Sequence, residues 1–259
     1  MSTTEITPME GPLGAVITGV DLHEPLTDDD RAAIRHALAD RLLVAFPEQH
    51  LGLPEEQRFA SSFGPIWLHP AARRRDAATS VVDSRRAPRA GKAAEVWHAD
   101  ATFTLNPPGY TMLSAQVLPA HGGATSFANQ QLAWEHLDPD WRQHLEGRRA
   151  VHAPGPKMLR RAPGLGEVLH PVVRVDGTTA RRSLFVNPGF TRRLEHQGAI
   201  ESRPTLGYLF RVALDPSVRL DYEWQPGDLV VWDNRALLHR AHHDHGDEAR
   251  VLTRVTVAA

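Results

Sequence analysis

Several features are missing from this sequence of 259 residues. It contains no cysteine, which excludes disulfide bonds, thiolate metal ligands and thiol nucleophiles together. No uninterrupted apolar run approaches the length of about 18 residues that a membrane-spanning helix needs, and the N-terminal segment lacks the basic and apolar regions of a secretory signal. We therefore expect a cytoplasmic protein with no membrane partner.

A large charge of one sign is also missing. Lysine and arginine number 29 and aspartate and glutamate 31, so the formal net charge is −2. This balance gives no electrostatic surplus for binding nucleic acid, which we exclude as a partner. Histidine is abundant, with 15 residues, and without cysteine the imidazoles and carboxylates are the strong metal ligands available. A chain of this length needs no metal to hold its core, so a bound metal would serve chemistry.

Short apolar segments separated by turns make up most of the chain after residue 97. Many short strands with few interposed helices favour an antiparallel barrel or jelly roll over a parallel sheet. We expect one domain, residues 1–259, that is mainly β with helical inserts. The apolar pattern predicts strands over 14–21, 42–46, 110–118, 124–128, 150–153, 169–175, 181–186, 218–224, 229–233, 237–241 and 250–257, with helices after Thr27 and over 53–63, 130–147 and 201–214.

One segment, residues 71–94, has a different texture. It is polar and rich in arginine, and it interrupts the apolar pattern on both sides. We predict a surface loop there, with a mobile lid as the alternative interpretation.

The sharpest local motif is the triplet His98-Ala99-Asp100. On an extended backbone, side chains at positions i and i+2 project to the same side, so an imidazole nitrogen and a carboxylate oxygen can bind one metal ion. The triplet alone is weak evidence, because it occurs by chance in many proteins.

A second histidine far downstream strengthens the metal hypothesis. His239 ends an apolar β segment, and two histidines plus one carboxylate form a facial triad that leaves three positions open on Fe(II). Arg250 follows after a turn that contains three more histidines, which we interpret as loop residues rather than a separate zinc or nickel site. We expect His239 and Arg250 to face each other on neighbouring strands, where an arginine fork could anchor a dicarboxylate that also chelates the metal.

These features occur together with ordered matches along nearly the whole chain. The sequence resembles the taurine and 2,4-dichlorophenoxyacetate dioxygenase family of Fe(II)- and 2-oxoglutarate-dependent oxygenases. The matching segments are LGAVITGVDL (13–22), FG and HP within 63–70, WHADATF (97–103), PP (107–108), GGAT (122–125), HP (170–171), VN and GF within 186–190, WDNR (232–235) with His239, and RVLTR (250–254).

The resemblance implies a fold, a reaction and a set of residues. The fold is a double-stranded β-helix, or jelly roll, and the iron ligands are His98, Asp100 and His239. Arg250, with the Thr125 hydroxyl, would hold the distal carboxylate of 2-oxoglutarate. The implied reaction uses Fe(II), 2-oxoglutarate and O₂, releases succinate and CO₂, and oxidises a C–H bond of a second substrate.

That second substrate is expected to be a small anion, such as a sulfonate or carboxylate. Arg254 stands four residues after Arg250, so both guanidiniums could enter one cavity, and by resemblance Arg254 binds the substrate's acid group. His69 matches a substrate-contacting histidine, whereas Phe103 and Phe190 match apolar wall positions. We also expect a homo-oligomer.

Two positions depart from the taurine-type pattern. Where those members carry a tyrosine and an asparagine, this chain has Ala72 and Ala94. Losing two polar contacts argues against taurine and for a larger, more apolar acid.

Two alternatives remain open on the residues alone. A zinc hydrolase could use the same His/Asp/His site, because three ligands and an open position also suit metal-activated water. A non-catalytic jelly-roll binding protein is the second alternative.

Overall fold

The architecture was obtained from a computed structural model, which describes residues 4–71, 79–83 and 95–258. Its strands are β1 Glu5–Pro8, β2 Ala15–Thr18, β3 Leu43–Phe46, β4 Thr79–Asp83, β5 Tyr110–Val117, β6 Thr125–Asn129, β7 Arg149–His152, β8 Val168–Pro171, β9 Val173–Val175, β10 Arg182–Leu184, β11 Thr191–Leu194, β12 Arg219–Tyr222, β13 Leu229–Asp233, β14 Leu237–Ala241 and β15 Val251–Val257. The largest sheet has seven strands in the order β1-β2-β3-β13-β5-β15-β4. Three smaller sheets have the orders β12-β6-β14, β11-β7-β8 and β10-β9.

The large sheet and the β12-β6-β14 sheet face each other across an apolar layer. Phe127 of β6 meets Trp232 of β13 with ring centroids 5.3 Å apart, and Leu252 of β15 belongs to the same buried cluster. Except for the parallel β2–β3 pair, the strand pairs are antiparallel. The prediction of a mainly β fold with a jelly-roll core is confirmed.

The described part of the chain contains six α-helices: α1 Asp28–Arg41, α2 Leu53–Ser61, α3 Gln130–Glu135, α4 Pro139–Leu145, α5 Pro156–Arg161 and α6 Ala199–Ala213. The first begins as predicted, because the Thr27 hydroxyl accepts a hydrogen bond from the Asp30 amide and three aspartates occupy the first turn. Helices α1 and α2 pack on the outer face of the large sheet, where Ile34, Leu38 and Phe59 are buried. In the described part of the chain, no helix is both long and apolar enough to cross a membrane.

Two predictions about elements were wrong, and three elements were not predicted. The segment 71–94 is not all loop, because Thr79–Asp83 forms β4 on the edge of the large sheet, paired with β15; residues 72–78 and 84–94 lie outside the described residues, and so does the lid alternative there. The insert 130–147 is two helices, since Pro139 begins a new one. Strands β1 and β11 and helix α5 had no prediction.

Candidate active site

The two histidines of the predicted triad are held side by side by the backbone. His239 lies in β14, and its amide donates to the His98 carbonyl at 2.8 Å while the His98 amide donates back to the His239 carbonyl at 3.0 Å. This isolated antiparallel bridge brings the two imidazole centroids to 4.3 Å. The position of one ligand is thus fixed directly by the other.

Asp100 is fixed on both sides of its backbone by Asn234. The Asn234 side chain accepts from the Asp100 amide at 2.6 Å and donates to the Asp100 carbonyl at 3.0 Å. The carboxylate's Oδ2 accepts from the Thr111 hydroxyl at 2.8 Å, which leaves Oδ1 facing the histidines. Oδ1 lies 3.8 Å from His98 Nε2 and 3.9 Å from His239 Nε2.

The electrostatics favour an ionised carboxylate at Asp100 and a neutral imidazole at His239. Burial alone would raise the pKa of Asp100, but the Arg254 guanidinium holds it well below its usual range. Burial, followed by the neighbouring His98, lowers the pKa of His239 to about 3. A carboxylate and neutral imidazoles are the forms that bind metals.

The donor set fits a divalent metal ion. His98 Nδ1 lies 2.7 Å from the Val96 carbonyl, so this nitrogen donates its proton there and Nε2 keeps the lone pair for a metal. One ligand atom from each of His98, Asp100 and His239 lies within 4.8 Å of the others. Within the described residues this is the sole such group of histidines and acids.

A second basic group, Arg250, directly precedes β15 of the large sheet, whereas His239 lies in the β12-β6-β14 sheet. The Arg250 Nε donates to the Gly123 carbonyl at 2.7 Å and its Nη2 to the Thr125 hydroxyl oxygen at 3.1 Å. Thr125 also accepts from the Trp224 indole at 3.0 Å. With both lone pairs engaged, the Thr125 proton is directed to a further acceptor, such as a ligand carboxylate.

Arg250 remains cationic at neutral pH in this place, since burial lowers its pKa only to about 10. The expectation that it faces His239 on a neighbouring strand was wrong. His239 pairs through β14 with β6, whereas Arg250 directly precedes β15 of the large sheet. The turn between them crosses from one sheet to the other.

The residues expected to contact substrate surround the triad. The Arg254 Nη1 lies 3.4 Å from Asp100 Oδ1. The His69 ring lies 6.1 Å from Phe103, and Phe103 lies 4.9 Å from Phe190, whose ring is 6.0 Å from His98. These rings form a continuous aromatic wall that runs from His69 to His98.

His69 is poised as a neutral hydrogen-bond donor. Its Nδ1 accepts from the Ala71 amide at 3.1 Å, so its proton resides on Nε2. Burial, and then the charge of Arg254, lower its pKa. The two departures from the taurine-type pattern, Ala72 and Ala94, lie outside the described residues.

Sequence reasoning missed the supporting residues of this site. Asn234 belongs to a quoted motif but received no role, and Thr111 gave no signal at all. Gly189 was also missed. A Cβ there would lie 2.9 Å from the His98 Cβ, so the lack of a side chain at this position leaves room for His98.

Comparison with known proteins agrees with this geometry. The family model described as "Taurine catabolism dioxygenase TauD, TfdA family" matches residues 5–256. An alkylsulfatase of Acinetobacter baylyi is 32% identical, over 96% of this chain and 83% of its own. The (S)-phenoxypropionate/alpha-ketoglutarate-dioxygenase of Sphingobium herbicidovorans is 32% identical, over 92% of this chain and 88% of its own.

The solved structures give the same result. The crystal structure of a taurine dioxygenase from Burkholderia xenovorans has a TM-score of 0.87 at 31% identity, covering 99% of this chain and 91% of that one. The zinc hydrolase and the non-catalytic binding protein find no support in these matches. The chain belongs to the TauD, TfdA family and is a dioxygenase that depends on Fe(II), 2-oxoglutarate and O₂.

Proposed function

We propose that His98, Asp100 and His239 bind Fe(II), and that one domain of residues 1–259 oxidises a C–H bond of an organic acid with an apolar body. The observation that carries this is the convergence of three ligand atoms within 4.8 Å, beside the Arg254 cation. The family match over residues 5–256 supports a single catalytic domain. A homo-oligomer and a cytoplasmic location remain our expectations.

The bound iron, with 2-oxoglutarate and O₂, would supply the oxidising chemistry, which releases succinate and CO₂. Arg250 and Thr125 would bind the distal carboxylate of 2-oxoglutarate, because a buried guanidinium beside a hydroxyl donor forms strong charge-assisted hydrogen bonds. The surrounding apolar layer excludes water from this end of the site.

Substrate recognition divides between a polar and an apolar side. Arg254 would bind the acid group, and the His69 Nε2–H would donate a second hydrogen bond to it. Phe103 and Phe190 would pack against the rest of the molecule and hold it near the metal ligands. A small zwitterion places an ammonium against this wall, where an unpaired charge costs several kcal/mol.

The names of the relatives include apolar acids as well as taurine, so the aromatic wall of Phe103 and Phe190 carries the choice between them. The Acinetobacter protein is named for alkyl sulfates and the Sphingobium protein for phenoxypropionate, and both are as similar to this chain as the taurine dioxygenase structure is. We therefore propose alkyl sulfates, alkanesulfonates or aryloxy acids as the substrate class.

The test is 2-oxoglutarate turnover with a panel of acids. The purified protein, supplied with Fe(II), ascorbate and O₂, is assayed for succinate with hexyl sulfate, hexanesulfonate, 2,4-dichlorophenoxyacetate and taurine. We expect at least one apolar acid to give about tenfold or more succinate than taurine does, and no succinate from the His98→Ala variant with any acid. Taurine as the best substrate would overturn the substrate class, and wild-type turnover in His98→Ala would overturn the iron site.

A further inference from the structure

The backbone forms a strained corner at Ala101, the residue directly after Asp100. Ala101 has a φ of 50°, in the left-handed region that costs a residue with a Cβ about 1 kcal/mol or more. The corner is closed locally by Thr104, whose amide and hydroxyl both donate to the Ala101 carbonyl, at 2.9 and 2.8 Å. A strained corner persists only where its surroundings fix both of its sides.

Asn234 fixes the backbone of Asp100, on one side of this corner. Thr102 fixes the other side. Thr102 is fully buried, and its hydroxyl oxygen lies 2.9 Å from His152 Nδ1 and 3.1 Å from Asn187 Nδ2. Those two partners belong to β7 and to the segment before β11, so the hydroxyl ties the corner to parts of the chain remote in sequence.

The hydrogen bonds continue into a closed buried ring. The Thr191 hydroxyl oxygen accepts from the Asn187 amide at 2.9 Å and lies 3.3 Å from His152 Nε2. Burial lowers the pKa of His152 to about 3, so the ring carries no charge. A neutral, fully hydrogen-bonded network inside a core specifies one geometry more than it adds stability.

The same network touches the other metal ligand. The Asn187 Oδ1 accepts from the Phe190 amide at 2.8 Å, which sets the course of the backbone through Gly189. The Gly189 amide in turn donates to the Trp97 carbonyl at 3.1 Å, directly before His98. Two of the three ligands thus depend on segments that meet at the Thr102 hydroxyl.

We propose that Thr102 is a positioning residue for the Asp100 carboxylate, with Asn187 and His152 as its fixed partners. This inference rests on the proposed metal site. Without the hydroxyl, the buried Asn187 Nδ2–H loses its acceptor, His152 Nδ1 loses its hydrogen-bond partner, and the left-handed corner at Ala101 is free to relax, which turns Asp100 away from the histidines. Outer residues that orient metal ligands contribute about 10- to 100-fold to metal affinity.

The test uses Co(II) as the probe, with the wild-type protein and two variants of one side chain. Thr102→Val keeps the shape and removes the hydroxyl, whereas Thr102→Ser keeps the hydroxyl. We expect Thr102→Val to bind Co(II) about tenfold or more weakly and to change its visible absorption spectrum, and Thr102→Ser to stay close to wild type in both. If Thr102→Val does not fold, Asn187→Ala, which removes one of the two partners of the hydroxyl, is measured in the same way, and an unchanged Co(II) affinity and spectrum there would overturn the proposal.

A matched control separates positioning from stability. Ser202 of α6 is also fully buried, and its hydroxyl accepts from the Leu194 amide at 2.9 Å, away from the site. Ser202→Ala should lower the melting temperature and leave the Co(II) affinity and spectrum unchanged. Wild-type affinity and spectrum in Thr102→Val, or an equal loss in Thr102→Ser, would overturn the role of the hydroxyl. Failure of the wild type to bind Co(II) would overturn the metal site itself.

Discussion

Replacing Arg250 by alanine tests how the co-substrate is anchored. Arg250 has 4% of its surface exposed, its guanidinium lies 5.9 Å from the Trp224 ring, and it donates to Gly123 and Thr125. A carboxylate bound there meets a desolvated cation whose position is already fixed before binding. Binding therefore loses little side-chain entropy, and the full strength of the contact appears in the affinity.

The magnitude follows from the number of hydrogen bonds at stake. Each hydrogen bond to a charged group contributes about 1.5 to 3 kcal/mol, and a guanidinium can form two with one carboxylate. Losing both costs about 3 to 6 kcal/mol, so Arg250→Ala should weaken 2-oxoglutarate binding at least about a hundredfold. Isothermal titration of 2-oxoglutarate into the Mn(II)-loaded protein without oxygen measures this directly.

Arg254→Ala is the matched control, because it removes a second cation from the same strand region. Its 2-oxoglutarate affinity should stay near that of the wild type. Thermal melting of both variants checks that the fold survives. If Arg250→Ala melts like the wild type and still binds 2-oxoglutarate with an unchanged dissociation constant, the anchor lies elsewhere, and Arg254 becomes the first candidate.

Four further changes have defined outcomes. Thr125→Val should weaken 2-oxoglutarate about tenfold by the same titration, less than Arg250→Ala, because one uncharged donor is lost; an effect as large as that of Arg250→Ala would contradict this. Arg254→Ala should raise the KM for the acid that performs best in the succinate assay, and an unchanged KM would remove it from substrate binding. Gly189→Ala should weaken Mn(II) binding about tenfold, since the new Cβ lies 2.9 Å from the His98 Cβ, and wild-type affinity would show that the contact relaxes freely. Burial raises the pKa of Glu56 to about 7, from an unfolded value near 4.5. The protonated carboxyl therefore contributes its full stability to the folded state below the unfolded pKa, and this stability is lost as the pH rises through 7. Glu56→Gln should therefore exceed the wild type in unfolding free energy by about 3 kcal/mol at pH 8, less so at pH 5, and a pH-independent difference in urea unfolding would refute it.

Local rules predicted the parts of the fold that depend on neighbours in sequence. Short apolar runs predicted the bounds of Leu229–Asp233 and Leu237–Ala241 as the structure has them. Thr27 and the acids after it marked the start of the first helix. The apolar pattern predicted strands over 169–175 and 181–186, and Val175 pairs with Arg182 between them. Each of these signals acts over a few residues, where side-chain alternation or a capping bond decides the backbone.

Pairing between distant segments could not be predicted in this way. Strand Thr79–Asp83 was not predicted, because it lies in a polar, arginine-rich segment and its partner, β15, is remote in sequence. The same limit applies to Arg250, which was expected beside His239 and belongs to the other sheet. Strand order is decided by which faces bury apolar surface, and a single sequence does not state that order.

The same distinction between local signals and contacts of distant segments applies to the candidate site. The sequence by itself determined the chemistry: the residue types, and the close spacing of His98 and Asp100, favour two imidazoles, a carboxylate and a guanidinium around one metal. Only the tertiary structure decided the geometry, through Asn234 on the backbone of Asp100, the bare Gly189 against His98 and the hydroxyl of Thr102 beyond a left-handed Ala101. Ligand identity is a property of side chains, whereas ligand position is set by buried hydrogen bonds between segments that meet only after the chain has folded.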